Sequence, residues 1–597
     1  MVLVSLYKFL QWAAVAAALL TSCSCRHENT SLDPDPDPVE AGTMEEGVLY
    51  TYTFKKSGTI RAYDEMEAVA CIQGILNREK PRLYLLNSTY DRPQYWLDKF
   101  YSGWMGSPKK ESVKDFDELL TLALSKIKGA IIWDPKVPAT INVATTMAGI
   151  EDAIVFSPEM AKEYCGRYGL EILKDFRGQF DGSLTGSAKN DAYRWAKEEF
   201  LDKGKCSTHL MCLYEDSYLT RNVGDLSYVS TRDWAVCNRA FVYDLSPWGN
   251  EKPKDDPEQP LGLDLETYRM ILESQLRQTA GREMTEVAGF FSFRKYSNQP
   301  GYPSIHGDVE TEWENVYVIS EYNCYQNTVA SSCYNQSFHS KAPQKTMKQG
   351  RPETLIEPQP GKNYICILMA DYDSTTPLYE FLPAHWSDRE RGSIPLLWGL
   401  NPNLCETYPD IFEWLYSTRA EGDYFASDAS AAGYMNPNRI REEYMQLFVD
   451  HNRKFFDQWD MSIAPMVLDT DEPTAAVKDA FTQFAPDGFA TIVIDHHGTG
   501  GKHPEPQVWK GMPVMQLIND CCNFSDVENA ARTMSKCIST PADDTPRFYF
   551  FRVVWTSPSN VKNTIERLRE LRPELDLEVL DGYNFFNCFK TVKSRQS

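Results

Sequence analysis

Asp371-Tyr372-Asp373 sets two carboxylates two residues apart, directly behind an apolar run. On an extended segment that spacing points both to the same side. Like charges at close range raise each other's proton affinity, which suits an acid/base pair. Asp428 and Asp495 stand in the same relation to apolar runs of their own, and Trp398 and Trp555 close two more. Carboxylates and indole rings gathered at one rim have the parts that cleavage of a glycosidic bond requires. One acid protonates the leaving oxygen, a second carboxylate serves as base or nucleophile, and aromatic faces hold the sugar. Asp471 and Glu472 follow another run but read as helix N-caps.

Asp495-His496-His497-Gly498 opens a glycine-rich loop and contributes two of the nine histidines. These residues read either as metal ligands completed by a carboxylate, or as a proton-transfer histidine oriented by Asp495. His-Glu-x-x-His, the metallopeptidase pattern, is absent from the sequence. No cofactor is expected, while a divalent metal remains open.

The elements that must position these groups alternate. From residue 363 onward, apolar runs at 364–369, 394–398, 424–427, 463–468, 489–494, 514–518, 548–555 and 577–580 are mostly separated by helix-length amphipathic stretches such as 441–456 and 561–571. This is the repeat of a (β/α) barrel, with a doubly wound open sheet as the alternative. In a barrel the residues just past the strands' carboxyl ends share one face. Residues 49–340 also alternate helix and strand, so the fold class is α/β: an N-terminal α/β region followed by a barrel-like C-terminal domain at 363–597. A polar, proline- and lysine-rich stretch at 341–362 reads as the linker between them.

At the front, Lys8, the apolar stretch from Phe9 to Leu20 and Leu20-Thr21-Ser22-Cys23 read as a signal peptide (1–23) with Cys23 as lipid acceptor. Residues 24–48 follow as a disordered spacer, with three Asp-Pro repeats that deny it helix or ladder. The expected location is therefore the cell envelope, on a membrane lipid anchor. A net charge of -23 excludes a nucleic-acid partner, because displacing phosphate counterions needs clustered Lys and Arg. Fifteen cysteines without a Cys-x-x-Cys pair fit neither a zinc ribbon nor a disulfide scaffold, and most read as packed small hydrophobes. Aromatic residues make up 13% of the chain, enough to stack sugars as well as fill cores.

Ala431-Ala432-Gly433-Tyr434-Met435-Asn436-Pro437 resembles the signature of the GxGYxP family of exported bacterial proteins, described as glycoside hydrolases. Asp371-Tyr372-Asp373-Ser374 is similar to that family's Asp-Gly-Asp-Asn element, and the end of the chain, through Phe551-Arg552-Val553-Val554-Trp555 and Asp581-Gly582-Tyr583, is similar to its C-terminus. Ala431 replaces a glycine, Asn436 is an extra residue before the proline, and Tyr372 and Ser374 replace a glycine and an asparagine. The resemblance implies a sugar-directed hydrolase with a carbohydrate substrate. In it Gly433 and Tyr434 read as a substrate platform. In the N-terminal region Glu321, Asn323 and Tyr325, with Trp313, read as groups that lean over the barrel mouth. Two other readings stay open: a metal-assisted carbohydrate hydrolase such as a deacetylase, and a non-catalytic glycan-binding lipoprotein.

Overall fold

The computed structural model describes residues 39–54, 58–224, 232–328, 333–469, 471–493, 500–518, 524–540 and 543–596. The signal and lipidation segment, with Cys23, lies outside the described residues, as do Asp495, His496 and His497. No helix among the described residues is long and apolar enough to cross a membrane.

The molecule is mixed α/β with parallel sheets. In the C-terminal part each of the eight apolar runs forms a strand. Asn363–Tyr372 lies at the centre, pairing in parallel with Leu396–Leu400 on one edge and Arg547–Val554 on the other. Asp423–Ala426 extends one side, and Leu577–Val579 pairs with the start of the central strand. Ile463–Asp469, Gly488–Val493 and Met512–Gln516 form a second parallel sheet, to which Gln507–Trp509 adds an antiparallel edge. The strands are near-continuous apolar runs because a parallel sheet covered by helices is buried on both faces. Cys366, Ile367 and Leu368 are all 0% exposed.

Among the described residues a continuous barrel ladder is not formed. The two sheets touch at one seam through the single bridge Ala429–Met466 and at the other through Ile518–Phe551. All the parallel strands nonetheless run the same way, so their carboxyl ends face one rim.

Residues 48–327 carry three smaller parallel sheets. The last of them places Cys324–Asn327 beside Thr285–Gly289, followed by Leu210–Leu213 and Phe241–Tyr243. Before it runs the helix Asp308–Ser320, whose first turn carries Asp308 and Glu310 where the helix dipole favours anions; Glu310 Oε2 accepts the Gly307 N–H at 3.0 Å.

Two stretches read as free chain are strapped to the body instead. In the spacer, Val39 N–H donates to Arg167 O (3.0 Å) and Gly42 N–H to Thr121 O (2.9 Å). Residues 341–362 have no helix or strand, yet Met347 N–H donates to Gln458 O at 3.0 Å. The Gln349 side chain pairs with the Phe425 backbone in both directions, at 2.7 and 2.9 Å. Polar side chains there satisfy backbone groups of the C-terminal part, which hydropathy does not register. Of the cysteines, Cys71 and Cys366 are fully buried as expected of small hydrophobes, and the described cysteines are unbridged.

Candidate active site

The site begins where the central strand ends. Asp371 turns the chain through φ 66°, a left-handed conformation that aspartate tolerates better than most residues. Asp428, two residues past its own strand, locks the turn. Its Oδ2 accepts the N–H groups of both Asp371 (2.6 Å) and Tyr372 (3.2 Å), two successive donors converging on one oxygen. Space for that carboxylate comes from Gly399, since a Cβ there would lie 2.6 Å from Asp428 Oδ2. Asn401 Oδ1 accepts the Asp428 N–H at 2.9 Å. Asp428 is 0% exposed and its Oδ1 has no hydrogen-bond partner. Burial, then the charges of Asp373 and Asp371, push its carboxyl well above the usual range. Asp428 therefore sits beneath the turn as its support, out of reach of a substrate.

Asp371 is ion-paired with Arg552, from the adjacent strand Arg547–Val554. Three residues on, Trp555 donates its indole N–H to Asp371 O at 2.7 Å and leaves its ring 47% exposed, edged by Phe381 at 4.7 Å. Asp373 lies between solvent and the core. Burial first, and Asp371 second, push its carboxyl up to about 7. Tyr372, between the two acids, faces inward, with its hydroxyl 2.6 Å from His385 Nδ1. The turn is then fastened to the N-terminal part, where Asn327 Oδ1 accepts from both the N–H (3.0 Å) and the hydroxyl (2.7 Å) of Thr375.

The Gly433-Tyr434 loop forms the other wall. Its backbone pairs with the last N-terminal strand: Gln326 N–H donates to Tyr434 O (2.8 Å) and Tyr434 N–H to Gln326 O (3.2 Å). Gly433, at φ 113°, packs so closely on the Tyr325 ring that a Cβ would lie 2.3 Å from it. From the helix Met445–Trp459, His451 meets Ala432 O at 2.8 Å and Asn452 Oδ1 accepts the Ala432 N–H at 2.8 Å. Burial pushes the His451 imidazole down to about 4, so it stays neutral. The extra residue Asn436 is accommodated because Ser320 Oγ accepts its N–H at 2.9 Å.

Glu312 completes the site from the N-terminal part. On the helix Asp308–Ser320 it shares a face with Val316 and Ser320, which meet the Tyr434 cluster and Asn436 respectively. Its carboxyl lies against the Tyr434 hydroxyl, within reach but outside regular hydrogen-bond geometry. Burial first, then Asp373 and Asp371, push it up to about 8.

Of the residues picked from sequence, Asp371, Asp373, Asp428, Gly433, Tyr434 and Trp555 come together here. Trp398 does not: its ring is 0% exposed, packed on Trp386 and Tyr372, with its N–H donated to Asp423 Oδ1 at 3.1 Å. Glu321 lies beyond the far end of the helix that carries Glu312, ion-paired with Arg439 at 3.3 Å. Asn323 is 2% exposed in the turn into the strand Cys324–Asn327, at φ 57°. Glu312 and Arg552 were not assigned roles. The signals were an acid sharing a helix face with Val316 and Ile319, and a cation inside an otherwise apolar strand, both of which demand partners.

Parallel strands presenting carboxylates at a single rim make a scaffold for hydrolytic chemistry. Family models for the GxGYxYP N-terminal first domain (residues 60–123), its second domain (127–204) and the "GxGYxYP putative glycoside hydrolase C-terminal domain" (361–590) all match. The chain belongs to the GxGYxYP family. Among solved structures, a crystal structure at 1.25 Å of a "putative hydrolase" from Bacteroides thetaiotaomicron VPI-5482 is similar. Its TM-score is 0.66 at 17% identity, over 94% of this chain and 98% of that one. No curated protein matches.

Proposed function

We propose that this protein hydrolyses glycosidic bonds of a glycan outside the cytoplasm, held to a membrane by lipid on Cys23. The observation that carries the reading is the convergence of Asp371 and Asp373 with a half-exposed Trp555 ring at the same strand ends. An exposed indole beside carboxylates suits a sugar, whose C–H face stacks while its ring oxygen and leaving group meet the acids. Asp371, ion-paired with Arg552, faces the positive charge that develops at the anomeric carbon. Membership of a family described as glycoside hydrolases supports the same chemistry.

The test is reducing-sugar release across a panel of plant and host polysaccharides, with and without chelator. Asp371→Asn and Asp373→Asn should each lower turnover at least 100-fold with folding intact. Full activity in both variants refutes the assignment, and activity that chelator abolishes transfers the chemistry to a metal-assisted hydrolase involving His496 and His497. Intact-mass analysis of the exported protein checks the anchor, and an unmodified N-terminus there would remove it.

A further inference from the structure

The three carboxylates on the C-terminal part leave one role unfilled. Asp428 is sealed under the turn with one oxygen committed to two backbone N–H groups. Asp371 is committed to Arg552. Neither is placed to give a proton to a departing oxygen. Glu312 differs on each count: it is recessed yet partly open to solvent, it pairs with no cation, and it approaches from the opposite wall, on the helix face turned to the signature loop.

We propose that Glu312 is the proton donor to the leaving glycosidic oxygen, and that Tyr434 is its positioning residue. The inference rests on the hydrolase reading above and adds a residue from the other half of the chain. As the bond between the anomeric carbon and the glycosidic oxygen breaks, its electron pair stays on the oxygen, which takes the Glu312 proton. Water supplies hydroxyl to the sugar carbon. The proton it releases passes to a carboxylate of the Asp371/Asp373 pair and returns to Glu312 through solvent. The charged and titratable groups facing Glu312 are Asp373, Asp371, Tyr434 and Arg552. The acids oppose its ionisation while Tyr434 and Arg552 favour it, and burial tips the balance toward the neutral acid near pH 7.

Two measurements on the full chain test this. Glu312→Gln should lose at least 100-fold in kcat/KM on glycosides with poor leaving groups but less than 10-fold on dinitrophenyl glycosides, which leave without a proton; equal loss on both overturns the assignment. Independently of turnover, the infrared spectrum at pH 7 should hold a protonated-carboxyl band that Glu312→Gln removes, and a band unchanged by the substitution also overturns it. Tyr434→Phe should lower the pH at which that band is replaced by carboxylate by less than one unit while moving kcat more than KM; no change in either refutes the positioning role. If the wild type is silent on every glycoside while the band behaves as stated, the hydrolase reading fails and the buried neutral acid stands.

Discussion

At the scale of single residues, the site is a problem in confining like charges. Asp371, Asp373, Asp428 and Glu312 share a small volume with one neutralising cation named in their electrostatics, Arg552. Arg552→Met should therefore raise the proton affinity of Asp373, Glu312 and Asp428 further, because the guanidinium lowers all three. The basic limb of the pH–rate profile should move to higher pH while kcat falls, and a limb that stays in place would contradict the account. The same raised affinities couple to folding. The folded protein holds protons on Asp373 and Glu312 up to about 7 and about 8, whereas the unfolded chain releases them at roughly 4. Their stabilisation is thus complete below about pH 4 and is lost as pH rises toward 8. The wild-type melting temperature should fall over that window, and Glu312→Gln, which mimics the neutral acid, should flatten the slope. Gly399→Ala tests the support beneath the turn: a Cβ 2.6 Å from Asp428 Oδ2 should cost about 1–3 kcal/mol, read by denaturant titration.

At the scale of elements, the strands were legible and the join between the halves was not. Each of the eight apolar runs after residue 363 is a strand, because burial on both faces writes itself as uninterrupted Val, Ile, Leu, Phe and Tyr. Reading the residue past each strand end then found Asp371, Asp373, Asp428 and Trp555. It failed at Trp398, which stands inside its strand and not beyond it, so its ring went to the core. Glu312 escaped because its partner is a loop more than a hundred residues away, and only the docking of a helix face brings the two together. The contact between Gln326 and Tyr434 is backbone to backbone and leaves no mark in residue type. Asn327→Ala removes the side chain that grips Thr375 and holds the Glu286 carboxyl at 2.9 Å. It should lower kcat at least tenfold with little change in KM, and unchanged kinetics would mean the turn holds itself.

At the scale of the whole molecule, the sign of the charge limits the substrate. A chain of net charge -23, with four acids around its site, repels anionic ligands before contact. Neutral glycans should be cleaved at least tenfold faster than sulfated or uronate-rich ones of the same backbone. The gap should narrow as salt rises, since screening acts over about 10 Å at 0.1 M. A preference for the anionic polymer at low salt would show that the site field is compensated elsewhere.

The pairing of Gln326 with Tyr434 has one more consequence. Peptide groups make that contact, so replacing side chains on either flank does not directly break its two hydrogen bonds. Drift can then rewrite what the cleft recognises while the two walls keep their alignment. What such a junction resists poorly is a change in chain length, and an insertion or deletion on either side would shear the walls apart and uncouple Glu312 from the aspartates it faces.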